Sequence, residues 1–393
     1  MAGNPENTKI FKPPFTMIVS KTPYSILIIL ASVILFSACN TETSQEKTQT
    51  VDPDATAATR ALYHNLLQYQ DQAIMFGHQD DLAYGIGWWG DDFRSDVHDV
   101  SGKFPAVFGW DAGEIGFERN IDSVSFSRMQ NWMVRAFEKG GIMTLSWHFD
   151  NPVTGGDTWD VTPAVYAIIP GGDKHDEYKA LLDKLAEFLV ALKTEDGTFV
   201  PVIFRPFHEH TGSWFWWGHN HCTRDEYIAL FRFTVEYLRD EKGLHHLLYA
   251  YSPDRFDSSE EYMERFPGTE YVDMLGYDDY HSFSTPESIP EGIAALGTLV
   301  QLGRELNKPV ALTETGLESI PVADWWTRHV LEPIKNDSLA RNISYMLVWR
   351  NANTKHHYAP YPGHQSADNF IQFEQDEFTW FLEDLPDMYT IKD

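Results

Sequence analysis

Eight short apolar runs recur along the chain, at residues 74–79, 106–111, 142–148, 200–209, 247–253, 272–280, 309–316 and 343–351. Each is continuous in its apolar character and ends in polar or aromatic residues, as strands buried on both faces do. Between them lie stretches of helical period at 124–139, 175–194, 224–241, 289–306 and 366–383. In 175–194, Tyr178, Leu181, Leu182, Leu185, Phe188, Leu189 and Leu192 share one stripe, and Gly197 follows the end. Strands and helices in strict alternation predict an α/β fold, a (β/α)8 TIM barrel formed as one domain over residues 58–393. An open doubly wound sheet is the competing architecture, but no Gly-rich phosphate loop follows the first run.

A barrel gathers the C-terminal ends of its strands on one face, where such folds keep their sites. Those ends carry His78-Gln79, Asp111, Trp147-His148, Arg205, His208-Glu209, Asp278 to Tyr280, Glu314 and Trp349-Arg350. Charged groups buried without partners are costly, so a shared site is the economical reading. Glu209 ends the fourth run and Glu314 the seventh. Across one mouth, two such carboxyls suit glycoside hydrolysis, which needs a proton donor for the leaving oxygen and a carboxylate at the anomeric carbon. A separation of about 5–5.5 Å retains configuration and about 6.5–9.5 Å inverts it.

Composition agrees with a neutral substrate. Acidic residues number 58 against 30 basic ones, for a net charge of −28, which is the wrong sign for nucleic acid. Aromatic residues make up 14%, with 13 Trp, and indoles suit the apolar faces of sugar rings. The two cysteines, Cys39 and Cys222, offer no disulfide framework and no Cys-rich metal site. His208-Glu209-His210 lacks the spacing of a zinc motif. Neither a metal nor a cofactor is expected.

The N-terminus reads as an address. Lys21 precedes the apolar run at 24–36, and Ser37-Ala38-Cys39 follows. A positive charge, a short apolar stretch and small residues describe an export signal. A Cys directly after the small pair fits the bacterial lipoprotein type, with Cys39 lipidated. The run is too short to span a membrane comfortably, so the expected membrane contact is a lipid anchor only. Met17 would make a more ordinary start than Met1. Residues 40–57 are polar and lack periodicity, and read as a tether.

Four segments carry a family resemblance: Arg205 to Trp217 (RPFHEHTGSWFWW), Thr313 to Gly316 (TETG), Ser146 to Pro152 (SWHFDNP) and Leu347 to Asn351 (LVWRN). Together they resemble glycoside hydrolase family 26, mostly β-mannanases, over roughly residues 60–385. The resemblance implies a retaining barrel enzyme with Glu209 as acid/base and Glu314 as nucleophile. It implies a β-mannan polysaccharide or manno-oligosaccharide as substrate, cut at β-1,4 linkages. It also places His148 and His208 by the sugar before the cleaved bond, Trp214 by the acid/base or a leaving-group sugar, and Tyr280 on the nucleophile. Trp349 becomes the floor under the sugar and Arg350 a polar contact beyond it. Arg205 is the nearest cation for Glu314, and Asp278 lies beside Tyr280. His78 and Gln79 are weaker candidates, and Trp88-Trp89 form either an outer sugar platform or a cover for the barrel.

Two other readings compete. Family relatives include β-1,3:1,4-glucanases and β-xylanases, so the substrate is less constrained than the reaction. A non-catalytic glycan-binding surface lipoprotein would share the aromatic richness, but has no use for both carboxylates in their full motifs.

Overall fold

A computed structural model describes residues 49–392. Cys39, the apolar run before it and most of the polar segment after it lie outside the described residues. Eleven strands are formed among the described residues: β1 (Ile74–Gln79), β2 (Tyr84–Gly85), β3 (Trp88–Trp89), β4 (Val107–Asp111), β5 (Ile142–Trp147), β6 (Val202–Pro206), β7 (Leu247–Tyr251), β8 (Met274–Asp279), β9 (Val310–Thr315), β10 (Tyr345–Val348) and β11 (Thr379–Trp380). β1 and β4 to β10 pair in parallel with their chain neighbours, and β10 closes on β1, with Met75 opposite Tyr345 and His78 opposite Val348. The sheet is therefore a closed eight-stranded barrel surrounded by helices, as the alternation predicts. β2 and β3 form a small antiparallel hairpin in the loop after β1.

Side chains alternate along each strand, so neighbours face opposite sides. Outward residues such as Phe204 of β6 and Tyr249 of β7 pack in the large cluster shared with the helices. Inward residues Met75, Val107, Ile142, Ile203, Leu248, Met274, Ala311 and Tyr345 form a second cluster inside the barrel, closed below by Leu62, Tyr63 and Leu66 of the helix Ala57–Tyr69. One step further along, the inward positions turn polar: Thr144 and Ser146 on β5, Arg205 on β6, Asp278 on β8, Thr313 on β9. The apolar layer fills the floor, and the polar layer becomes the base of the cleft.

Three expectations need correction. Residues 51–57 do not behave as a tether. Val51 N donates to Asp273 Oδ1 at 2.6 Å and His245 Nδ1 meets Asp52 Oδ2 at 2.8 Å, because Asp273 and Asp52 are both buried and need partners for their oxygens. The helix expected over 366–383 spans only Ala367–Glu374. Asp376 then accepts from Phe378 N, the chain turns, and β11 adds to β1. Finally, β6 stops at Pro206 rather than running on to Glu209, and both Phe207 and Glu209 take left-handed backbone conformations, φ 52° and 53°.

Candidate active site

Arg205 is the hub of the polar layer. It is buried, and its Nη1 donates to Asp278 Oδ2 at 2.7 Å and to Ser252 Oγ at 3.1 Å, while Nη2 bonds Glu314 Oε1. Asp278 Oδ1 accepts from Thr313 Oγ1 at 2.6 Å and from Ser252 Oγ at 3.0 Å. Burial pushes the Asp278 carboxyl up, Arg205 draws it down, and the nearby Glu314 charge raises it again. On the cleft side of Glu314, Tyr280 Oη donates to Oε2 at 2.9 Å. The nucleophile candidate is thus held between a buried guanidinium and a phenol hydroxyl, both donating to it.

Glu209 faces this group. Its backbone N–H donates to Ser252 O at 2.8 Å, and Trp214 Nε1 donates to its Oε2 at 2.6 Å. Ligand-capable oxygens of Glu209, Asp278 and Glu314 lie within 4.8 Å of one another. That spacing suits the short carboxyl separation of retaining glycosidases and is well below the inverting range. Burial, then the charges of Glu314, Asp278 and Asp254, hold the Glu209 carboxyl well above the ordinary carboxylate range. A carboxyl held up in this way is suited to start as the proton donor that general acid catalysis needs. These three carboxylates are also the group that could hold a cation, but Arg205 already sits against two of them.

A histidine pair lies beside the carboxylates. His148 Nδ1 meets Asp111 Oδ2 at 2.7 Å, and His148 Nε2 meets His208 Nε2 at 3.1 Å. Burial works against charge on His148, but Asp111 outweighs it and raises its pKa. Burial would raise Asp111, yet His148 with Ser146 and Gly113 as further donors takes it down to about 2. His208 is driven well below its ordinary value by burial and by Arg205 and His148. The arrangement fits a charged His148 donating to a neutral His208.

The expected sugar contacts divide into two groups. Trp214, Tyr280, Trp349 and Arg350 keep exposed surface. Arg350 is fixed by Tyr84 Oη at 3.2 Å and Asp122 Oδ1 at 2.9 Å. His208, Arg205 and Asp278, also expected at the sugar, are buried. Arg205 and Asp278 spend their polar atoms on neighbours, whereas His208 meets His148 through Nε2 and its Nδ1 has no partner among the described residues. His208 touches His148, and Arg205 links Asp278 to Glu314, because the inward upper layer lies beneath the cleft rather than lining it. His78 and Gln79 are buried too, with His78 Nδ1 at 2.7 Å from Asp81 Oδ1.

Several residues at the site escaped the sequence reading. Trp159 is 52% exposed with its ring 6.0 Å from His148, and its one signal was a tryptophan in a Gly- and Asp-rich loop. Asp254 follows β7, and burial raises it to about 6. Tyr84 and Asp122 brace Arg350 from loops distant in sequence, which no local pattern announces.

Known proteins bear on this geometry. The family profile described as Glycosyl hydrolase family 26 matches residues 51–315. A mannan endo-1,4-β-mannosidase of Bifidobacterium adolescentis is 37% identical over 327 residues, which are 76% of this chain and 32% of that protein. The chain thus spans about a third of that relative's length. One from Bacillus subtilis is 30% identical over 74% of this chain and 78% of its own length. Among solved structures, a family 26 β-mannanase from Bacteroides ovatus superposes with a TM-score of 0.83 at 45% identity, covering 86% of this chain and 98% of that one. An endo-β-1,4-mannanase from Cellulomonas fimi gives 0.81 at 35% identity, over 86% and 79%.

Proposed function

Because the chain belongs to glycosyl hydrolase family 26, we propose that it hydrolyses β-1,4-mannosidic linkages of mannan, glucomannan or galactomannan by double displacement, with Glu209 as acid/base and Glu314 as nucleophile. The observation that carries the reading is the close approach of the two carboxylates, one held up by burial and its neighbour's charge, the other bound by Arg205 and Tyr280.

The steps follow from those contacts. Glu209 gives its proton to the glycosidic oxygen as the bond to the anomeric carbon breaks. Glu314 attacks that carbon and forms a glycosyl ester, losing its negative charge. With that charge gone, the main electrostatic reason for a raised Glu209 disappears, so Glu209 becomes a base. It takes a proton from water, whose oxygen attacks the anomeric carbon and releases Glu314. Trp349 and Tyr280 form the walls of the reacting subsite, and Trp214 keeps Glu209 aimed at the leaving oxygen.

Two variants test this. Glu314→Ala abolishes mannan hydrolysis with the fold intact by circular dichroism. Glu209→Ala lowers the rate on mannan by roughly 10²–10⁴-fold, and less on aryl mannosides whose leaving groups need no proton. Full activity in Glu314→Ala, or equal losses on both substrates in Glu209→Ala, refutes the roles. Product sizing on mannan, mixed-linkage glucan and xylan identifies the polymer. It also separates internal cleavage from mannobiose release.

Export and lipid attachment at Cys39 belong to the same proposal. The apolar run at 24–36 and the Ser37-Ala38-Cys39 sequence support it. Labelled palmitate should enter the expressed protein and be lost in Cys39→Ser. Equal labelling of both rules the anchor out.

A further inference from the structure

Trp88 and Trp89 are adjacent, yet the hairpin sends them to opposite faces. Trp88 is 7% exposed, and its Nε1 donates to Asp96 Oδ1 at 2.7 Å. It is tied to the first residue of the helix Asp96–Ser101. Trp89 is 51% exposed and stacks on Tyr84, its cross-strand partner, with ring centroids 4.7 Å apart and planes 8° from parallel. Tyr84 is itself fixed, donating to Asp80 Oδ2 at 2.7 Å and accepting from Arg350 Nη1. A row of contacts therefore runs from Trp349 and Arg350 at the reacting subsite, through Tyr84, to Trp89 on the rim.

Direction along the cleft follows from the barrel. Glu209 follows β6, and the leaving group departs on its side. Arg350 follows β10, which pairs with β1 and stands across the barrel from β6. The row thus extends toward the end of the sugar chain that stays on the enzyme. Beside Trp89, a cavity of about 160 Å³ is lined by Arg119, Ser125, Arg128 and Trp132 among others. Arg119 and Arg128 are exposed and supply donors for hydroxyls. Large aromatic side chains also stand exposed in the loops after the next three barrel strands: Phe117, Trp159 and Trp214.

The geometry points to Trp89 as a distal sugar platform, taking a mannosyl unit beyond the one at Arg350 on the retained side of the cleft. The apolar face of a pyranose suits an indole whose other face is already stacked and immobile, since little ordering remains at binding. The assignment rests on the mannan reading above and adds to it a preference for longer chains.

The test compares wild type, Trp89→Ala and Trp89→Phe on mannohexaose and mannotriose. In Trp89→Ala the ratio of kcat/KM for the hexaose to that for the triose falls about three- to tenfold, mainly through KM, and Trp89→Phe recovers most of it. An unchanged ratio overturns the platform, as does an equal loss on both sugars, which marks Trp89 as a brace for Tyr84 and Arg350. Both results leave the wild-type activity, and so the mannan reading, standing. A wild type that cleaves neither sugar overturns the mannan reading and the platform with it.

Discussion

At the scale of single residues, Glu314 and Glu209 are chemically identical side chains with opposite surroundings. Glu314 receives hydrogen bonds from Arg205 and Tyr280, whereas Glu209 receives one from Trp214 and faces the charges of Glu314, Asp278 and Asp254. Hydrogen bonds to a charged acceptor are worth about 1.5–3 kcal/mol. Tyr280→Phe should therefore lower kcat/KM by roughly tenfold or more, measured on mannan at fixed pH. A Phe variant with undiminished kcat/KM would mean Tyr280 does no more than wall the cleft. Glu209 and Glu314 were legible in the sequence because their motifs sit at strand ends. The buried standing of His208 and Asp278 was not, since strand position gives a side chain's face but not its depth.

At the scale of elements, β9 does something a regular strand cannot. Thr313 and Glu314 are consecutive, yet both reach inward, to Asp278 and Arg205. A register shift makes this possible: Leu312 pairs with Tyr277 and Glu314 with Asp278, leaving Thr313 as the extra residue. Bulges of this kind re-aim side chains beside active sites. The left-handed Phe207 and Glu209 re-aim the end of β6 in the same way, at a backbone cost of order 1 kcal/mol or more each. Phe207 is locked by its buried ring and by Tyr227 Oη on its carbonyl. The bulge depends on a bare backbone at Gly276, where an added Cβ would lie 2.6 Å from Thr313 Oγ1 and 2.7 Å from Ser252 Cβ. Gly276→Ala should cost roughly 1–3 kcal/mol. It should lower Tm by a few degrees and, by shifting the Asp278 clamp, reduce kcat as well. An unchanged Tm in that variant would show the site has slack that these contacts deny.

At the scale of the whole molecule, the fold bears a cost for its own cleft. Glu209 has a pKa raised in the folded state. Its ionisation is therefore penalised on folding at any pH above the ordinary carboxylate value near 4. Below that pH both states hold the proton and the penalty vanishes. It grows as pH rises through the window up to the raised value, then stays constant. Glu209→Gln keeps the acceptor for Trp214 and removes the charge. It should raise Tm at pH 7 and leave it nearly unchanged at pH 4, followed by calorimetry. A gain of the same size at both pH values would locate the effect in packing instead. Activity should fall as pH rises through the same window, because the acid must start protonated.

The barrel itself was determined by local pattern. Continuous apolar runs and helical stripes alternate in the chain, and parallel strands linked by helices close one way. Strand-end chemistry and the two glutamate motifs came with it, because alternation along a strand fixes which residues face inward. Tertiary structure alone decided which of those residues touch the cleft and which lie beneath it, how the bulge turns Glu314 toward Arg205, and how Tyr84 and Asp122 converge on Arg350. The physical reason is range. Periodicity acts between near neighbours in the chain, whereas burial, charge coupling and bulge register are set by partners brought together only when the ring of strands closes.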